Sequence, residues 1–106
     1  MFISNGVYII IVKIAKALSD QNRVEIIKLL SEEELCACHI LDQMQIAQST
    51  LSHHMKQLTD SKLVIVTKKG RWSYYRINTQ TVNDFKEFLD TYKNTSKINK
   101  CNINCD

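Results

Sequence analysis

The sequence contains no proline and only two glycines, Gly6 and Gly70, so it lacks the residues that most often interrupt helices. This scarcity predicts a mainly helical protein with few tight turns. The apolar stretch Val7–Val12 is far shorter than the ~20 residues that a membrane-spanning helix needs. No basic segment precedes that stretch and no small-residue cleavage site follows it, so we expect a cytoplasmic protein with no membrane segment.

The usual sequence signs of catalysis are also missing. The chain has no glycine-rich loop to hold a phosphate, no nucleophile with an evident general base, and no C-x-x-C pair of the thioredoxin kind. We therefore predict that the protein is not an enzyme. The alternative is a metal-binding or redox enzyme that does not bind DNA, and the absence of these motifs argues against it.

At 106 residues, the chain is long enough for one modest hydrophobic core and too short for two. Its 44% hydrophobic and 24% charged residues are typical of a globular protein. The net charge of +3 is too small to indicate nucleic-acid binding by itself. In a reducing cytoplasm, the four cysteines favour metal ligands or reactive thiols over structural disulfides.

Four helices are predicted in the first 61 residues. Apolar residues at helical spacing from Ile11 to Leu18 predict the first helix, and Ser19-Asp20 offers capping side chains for a second helix over 23–30. The S-x-x-E pattern of Ser31–Glu34 predicts a capping box that opens a third helix. Residues 45–47 then form a turn, and Ser49 is the predicted N-cap of a fourth helix that ends near Ser61.

Beyond the fourth helix the pattern changes to that of a β-hairpin. Residues 63–67 and 72–77 are β-branched and aromatic, and the basic run Lys68–Arg71 separates them. Helical spacing resumes over 82–93 and ends in a polar tail. We therefore expect a folded domain over 1–93 that is mainly α with a two-stranded β wing, followed by a flexible cysteine-containing tail over 94–106.

A helix, a short turn, a second helix with a polar outer face and a basic hairpin are typical of a winged helix-turn-helix, which binds DNA through the second helix and the wing. Polar side chains suit base edges and phosphates, and basic ones neutralise phosphate charge. The candidate DNA-binding residues are Gln48, Ser49, Thr50, Ser52, His53, Lys56, Lys68, Lys69 and Arg71. The alternative is that the serines only cap, the basic run is a solvated tip and His53 is a surface residue. His54 lies on the edge of the apolar face, so we expect it to be packed.

Four segments occur in the order of a known family: ALSDQNRVEIIKLL, ELCACHIL, QSTLSHHMKQL and KKGRWSYYRIN. Over residues 12–78 the chain resembles the ArsR/SmtB family of metal-responsive repressors, most closely its arsenical-resistance branch. The resemblance implies a homodimer built through the first and last helices. It also implies repression at a palindromic double-stranded DNA operator without any required cofactor, and release by an inducing ion.

For the arsenical-resistance branch the resemblance implies thiolate ligands and trivalent arsenic or antimony, As(III) or Sb(III), as the inducer. The family pattern is C-x-C, often with a third cysteine three positions later, where this chain has Leu41. A tail cysteine, a small cellular thiol or the nitrogen of His39, the last for a harder ion such as zinc, remain open as the third donor. The candidate metal ligands are Cys36, Cys38, Cys101 and Cys105.

Two expectations concern the geometry of Cys36 and Cys38. On an ideal helix these positions lie about 200° apart, so local unwinding is needed before both can face one ion. Strain in a C-x-C disulfide argues against their direct pairing. A thiol redox or persulfide sensor and a zinc or cadmium sensor on the same scaffold are the alternatives. The last helix has no histidine and no cysteine precedes Val12, so the other metal sites known in this family are not expected.

Overall fold

The computed structural model describes residues 5–93. In chain order the elements are α1 (Asn5–Ala17), α2 (Gln21–Leu30), β1 (Leu35–Cys36), α3 (Ala37–Met44), α4 (Gln48–Asp60), β2 (Val64–Lys69), β3 (Trp72–Ile77) and α5 (Thr79–Thr91). The mainly helical prediction is confirmed. The predicted tail, with Cys101 and Cys105, lies outside the described residues, so the predicted domain boundary stays a prediction.

The core lies where α1, α2 and α4 meet α3 and the sheet. Ile14, Ile26, Ile40 and Leu58 are completely buried there. Each comes from a different helix at a position that the helical periodicity directs inward. The predicted cap of α2 is confirmed, because the Asp20 carboxylate accepts hydrogen bonds from the backbone N–H groups of Asn22 (2.8 Å) and Arg23 (3.3 Å). The helix itself begins at Gln21, two residues before the predicted start.

The predicted capping box at Ser31–Glu34 is wrong. Ser31 ends α2 instead, and its hydroxyl donates a 2.6 Å hydrogen bond to the Lys28 carbonyl. Residues 35 and 36 then form β1, which pairs with β3, and α3 begins only at Ala37. Strand pairing requires an extended backbone, and this tertiary contact overrides the local helix-start signal.

The predicted turn between α3 and α4 is confirmed. Gln45 ends α3 in the left-handed conformation, with φ 53°, and half-buried Ile46 packs against the core. The predicted N-cap at Ser49 is wrong, because Ala47 occupies that position and Ser49 lies inside α4. A two-helix unit with a three-residue turn results, as in DNA-binding helix-turn-helix motifs.

The predicted hairpin is confirmed, although its sheet has three strands in the order β1-β3-β2 rather than two. β2 and β3 pair antiparallel from Val64 opposite Ile77 to Lys69 opposite Trp72. The strands thus extend through Lys68 and Lys69, which leaves Gly70 and Arg71 as the tip. Gly70 has φ +64°, as the first position of a type II′ turn requires.

No helix within residues 5–93 is long and apolar enough to cross a membrane.

Candidate DNA interface and thiol site

The outer face of α4 is polar and open to solvent. All six residues of this helix that the sequence assigned to DNA binding are exposed: Gln48, Ser49, Thr50, Ser52, His53 and Lys56. The opposite face is buried through Leu51, Met55 and Leu58. No side chain caps the start of α4, so its first backbone N–H groups are free to meet a phosphate.

The wing carries its basic residues in two settings. Lys68 lies on β2 and Arg71 at the tip, and both are exposed. Lys69 is partly engaged, since its Nζ lies 3.7 Å from the Glu34 carboxylate and 4.9 Å from the centre of the Tyr74 ring. The sequence indicated Glu34 only as a member of the capping box and gave no role to Tyr74, because residues 34 and 69 meet only through the β1-β3-β2 pairing.

Cys36 and Cys38 lie at the junction of β1 and α3, with 5.4 Å between their Cα atoms. Their sulfurs are in direct contact and are paired as a disulfide, so the expectation that strain keeps this pair apart is wrong. Local unwinding is not needed either. Cys36 precedes the helix with an extended backbone (φ −79°, ψ 159°), so the spacing rule for two helical residues does not apply to this pair.

The two thiol positions differ in environment. Cys36 is buried, with 4% of its surface exposed, whereas Cys38 and the adjacent His39 are exposed. The Sγ atoms of both cysteines and a ring nitrogen of His39 all lie within 4.8 Å of one another. When reduced, this group offers two soft sulfur donors and one nitrogen donor, a set that suits a thiophilic ion.

The thiol site is joined to both elements of the DNA face. Cys36 pairs with Tyr74 on β3, the inner strand of the wing, and Leu35 pairs with Tyr75. Cys38 lies in the first turn of α3, which leads through the three-residue turn into α4. The two cysteines therefore lie in a segment that contacts the wing strand β3 and runs directly into the first helix of the helix-turn-helix.

A buried cluster around Arg23 holds α4 against α1 and α2. The Arg23 guanidinium donates hydrogen bonds to the carbonyls of Ala17 (2.6 Å) and Lys16 (3.3 Å) at the end of α1. It also donates to Nδ1 of His54 on α4 at 3.0 Å. Since arginine has no acceptor, Nδ1 carries no proton, and Nε2–H faces the Asp20 carboxylate at 3.9 Å.

His54 is 5% exposed, which confirms the prediction of a packed histidine. Burial lowers the pKa of His54 below its ordinary value of 6.5, and the positive charge of Arg23 acts in the same direction, while Asp20 opposes the change. A protonated His54 could no longer accept the hydrogen bond from Arg23. The neutral imidazole is thus the form that this cluster stabilises.

We expect the protein to lose stability as the pH falls below 6.5, the ordinary pKa of His54. Because the folded state binds this proton less readily than the unfolded chain, the unfolded chain holds more protons in that range and the free energy of unfolding decreases. Urea midpoints measured at about pH 7.5 and about pH 5.5 test this. In His54→Gln, which cannot titrate, most of the difference should vanish, and an unchanged difference would assign the effect to other groups.

The sequence profile of the family "Bacterial regulatory protein, arsR family" matches residues 20–66, from the N-cap of α2 into β2. The arsenical resistance operon repressor of Staphylococcus aureus is 44% identical over 92 residues, which are 87% of this chain and 83% of that protein. The repressor of the same name from Staphylococcus xylosus is 47% identical over 77 residues, or 73% of this chain and 74% of that protein. These relatives regulate transcription, which fits the prediction that the chain is not an enzyme.

The fold has a counterpart among solved structures. The ArsR-like transcriptional regulator from Rhodococcus sp. RHA1 superposes with a TM-score of 0.75 at 26% identity, over 81% of each chain. Together with the helix-turn-helix and the hairpin, this likeness confirms the winged helix-turn-helix fold. The chain belongs to the ArsR family of bacterial regulatory proteins, and the arsenical-resistance repressors are the branch that it resembles.

Proposed function

We propose that the protein is a homodimeric, cytoplasmic repressor of an arsenical-resistance operon. In this proposal it binds a palindromic operator without a cofactor and is released when Cys36 and Cys38 bind trivalent arsenic or antimony. The observation that carries the proposal is the position of the thiol pair. Both cysteines lie in a segment that pairs with the wing strand β3 and continues in the chain into α3, the first helix of the helix-turn-helix.

The DNA-binding part of the proposal is supported by the exposed face of α4 and by the wing. α4 presents polar side chains and an uncapped N-terminus for the major groove and its phosphates. Lys56, Lys68, Lys69 and Arg71 supply positive charge. Lys56 is paired with Asp60 at 3.2 Å on the surface, a weak contact that a phosphate can replace.

The inducer part of the proposal is supported by the donor set. Trivalent arsenic and antimony supply strong bonds to sulfur, which the soft thiolates of Cys36 and Cys38 match. Two equivalents of a small cellular thiol must first supply two electrons and two protons, which converts the disulfide to two thiols and leaves the small thiol oxidised to its own disulfide. In the bound state the two sulfurs are held apart by the ion instead of being bonded to each other. That change moves β1 against Tyr74 and alters the start of α3.

The source of a third donor is open between a small thiol and the tail, which lies outside the described residues. A Cys101→Ser, Cys105→Ser double variant separates these sources. Release at the wild-type arsenite concentration assigns the third position to a small thiol. Release only at higher arsenite assigns it to the tail.

The dimer part of the proposal is supported by apolar faces on α1 and α5. Val12 on α1 is 65% exposed, Leu89 on α5 is 54% exposed, and Tyr92, which follows the last residue of α5, is 57% exposed. The Tyr92 hydroxyl donates a hydrogen bond to the Tyr8 oxygen, which raises the pKa of Tyr92 and places the start of α1 beside the end of α5. The two helices thus form one apolar surface that a second copy would cover.

Leu89→Glu is expected to convert the dimer into a monomer at micromolar concentration and to weaken operator binding. A carboxylate on this surface would be desolvated in the dimer, whereas the isolated subunit leaves it in water. Sedimentation and circular dichroism measure assembly and folding separately. Asn83→Glu, which adds the same charge to the polar side of α5, serves as the control, and a dimeric, operator-binding Leu89→Glu protein would refute this interface.

The decisive experiment follows the fluorescence anisotropy of a labelled operator fragment under full reduction. Arsenite, antimonite, zinc and cadmium are titrated into the wild-type complex. Release by arsenite or antimonite is expected. If no ion releases the DNA, the inducer assignment is wrong.

A thiol redox or persulfide sensor is the second candidate, and the direct pairing of Cys36 with Cys38 favours it. In that case oxidation of the two thiols, with loss of two electrons and two protons to an oxidant such as a polysulfide, changes the affinity for DNA. Release by polysulfide without reductant, together with no release by arsenite under reduction, would establish this function instead.

A further inference from the structure

We propose that the hydrogen bond between Arg23 and His54 positions α4 for operator binding, so that protonation of His54 weakens the hold of the protein on DNA. The proton then acts as a second effector, through a part of the fold that the thiol pair does not touch. The inference rests on the proposed binding of DNA by α4. It follows from the geometry of the buried cluster that joins this helix to α1 and α2.

His54 is the polar anchor of α4. Among the described residues it makes the only side-chain hydrogen bond between α4 and another helix, in which Nη1 of Arg23 donates to its Nδ1 at 3.0 Å. The other buried side chains of α4 are apolar: Leu51, Met55 and Leu58. Apolar burial is not directional, whereas a satisfied buried hydrogen bond requires one arrangement of its partners. The bond to Arg23 therefore fixes where α4 sits on α1 and α2.

The guanidinium of Arg23 cannot follow the ring when His54 is protonated. It also donates to the carbonyls of Ala17 (2.6 Å) and Lys16 (3.3 Å), which hold it at the end of α1. A proton taken from solvent by Nδ1 places a second donor and a second positive charge 3.0 Å from Nη1, and neither group can then accept. The bond is lost, and because the guanidinium is held by α1, the imidazole and α4 are the parts that move.

The charged and titratable groups around His54 lie on α2, on α4 and at the cap of α2. Burial lowers the pKa of His54 below its ordinary value of 6.5, and the nearby charges modify that effect. The Asp20 carboxylate, 3.9 Å from Nε2, raises the pKa, whereas Arg23 and the ring of His53, whose centre lies 5.9 Å away, lower it. The ring is thus neutral at neutral pH and takes up its proton only in acid.

A displacement at His54 matters for DNA because Ser52 and His53 are its near neighbours on the exposed face of the same helix. A DNA-binding helix must hold its side chains against base edges, and a dimer must hold two such helices one turn of DNA apart. The neutral form therefore binds the operator more tightly, and by linkage operator binding expels the proton. Protonation of His53 beside a phosphate would have the opposite effect and strengthen binding in acid.

The test measures the affinity of the reduced protein for a labelled operator fragment by anisotropy, without arsenite, from about pH 7.5 to about pH 5.5. Coupling between two sites is commonly ~5–150-fold, so affinity at the acid end should be at least ~5-fold lower. Circular dichroism and the amount of protein that saturates the operator show at each pH how much of the protein is folded. His53→Gln, which removes the neighbouring histidine from titration, is the control and should keep the decrease.

His54→Asn separates a positioning role from a purely structural one. Its Oδ1 can stand in for Nδ1 and accept from Arg23 but does not titrate, so its operator affinity should not fall in acid. His54→Leu, which has no acceptor, should bind weakly over the whole range, and His54→Asn decides the matter if the leucine variant does not fold. A wild-type affinity that stays constant or rises in acid, or a decrease of equal size in His54→Asn, would refute the proposal.

Calorimetry keeps the test decisive if acid unfolds the protein early in the range. At about pH 6.5, operator binding should release protons, which two buffers of different ionisation enthalpy reveal, and His54→Asn should release fewer. Uptake of protons by the wild type would overturn the proposal. Absence of operator binding at about pH 7.5 refutes the proposed DNA-binding function itself, whereas binding that is independent of pH refutes only the role of His54.

Discussion

Cys38→Ser is expected to bind the operator as the wild type does and to need at least ~100-fold more arsenite for release. To change the protein from 99% DNA-binding form to 99% released form, arsenite must bind the released form more tightly by ~5.5 kcal/mol. The loss of one of two sulfur ligands removes about half of this preference, which corresponds to ~100-fold in arsenite concentration. Cys38 is exposed, so the hydroxyl of serine stays in water and the fold is not at risk. Operator anisotropy under reduction, with arsenite as titrant, measures both quantities.

The equivalent substitution at Cys36 needs a different design. Cys36 is buried beside β3, and a serine hydroxyl placed there without a partner destabilises the fold by ~1–3 kcal/mol. Cys36→Ala keeps the site apolar and removes the same sulfur. Both Cys36→Ala and Cys38→Ser should remain on DNA in arsenite. Release of either variant at the wild-type arsenite concentration would exclude that sulfur as a ligand.

The short segment from Glu34 to Cys36 gives a physical route from the thiols to the DNA face. Glu34 contacts Lys69 at the base of the wing tip, and two residues later Cys36 pairs with Tyr74, whose ring lies beneath the same lysine. A shift of β1 therefore changes the contacts of Lys69 directly. Because Cys36 directly precedes the first turn of α3, we expect both candidate DNA-binding elements to respond to a change at the thiol pair.

Much of the fold was predictable because its signals are local. The apolar spacing from Ile11 to Leu18, the Asp20 cap and the β-branched runs around Gly70 each act within a few residues. β1 was not predictable, since two residues are too few for a periodic pattern and their extended form depends on Tyr74 and Tyr75, almost forty residues away. The capping box failed because the distant pairing of β1 with β3 decided the conformation there, whereas the Ser49 cap failed because α4 begins earlier, after Ala47.

The candidate site shows the same division. The exposed polar residues of α4 follow from its helical period, and the C-x-C pair is visible in the sequence. The prediction that the two sulfurs point to different sides of one helix was wrong, because Cys36 belongs to a strand rather than to the helix. Arg23 was placed only as one residue of the second helix. Its role in joining α1 to His54 depends on a contact across thirty-one positions, for which the sequence carries no periodic signal.

Replacement of Lys68, Lys69 and Arg71 by alanine is expected to weaken operator binding by ~100-fold or more at low salt and to make its salt dependence shallower. Each phosphate contact contributes ~0.9 to the slope of log K against log salt, so six lost contacts in a dimer reduce the slope by up to ~5. All three side chains are exposed, so the hairpin should remain folded. Anisotropy at several salt concentrations gives affinity and slope together.

The slope of log K against log salt shows whether the wing contacts DNA phosphates or carries positive charge without contacting them. Lys28→Ala, which removes one exposed lysine from α2, is the control and should leave the slope nearly unchanged. Lys68 and Arg71 together should account for most of the loss, because Lys69 is already shared with Glu34 and Tyr74. An unchanged slope in the triple variant would mean that α4 alone contacts the operator, and β1 would then act on DNA binding only through α3.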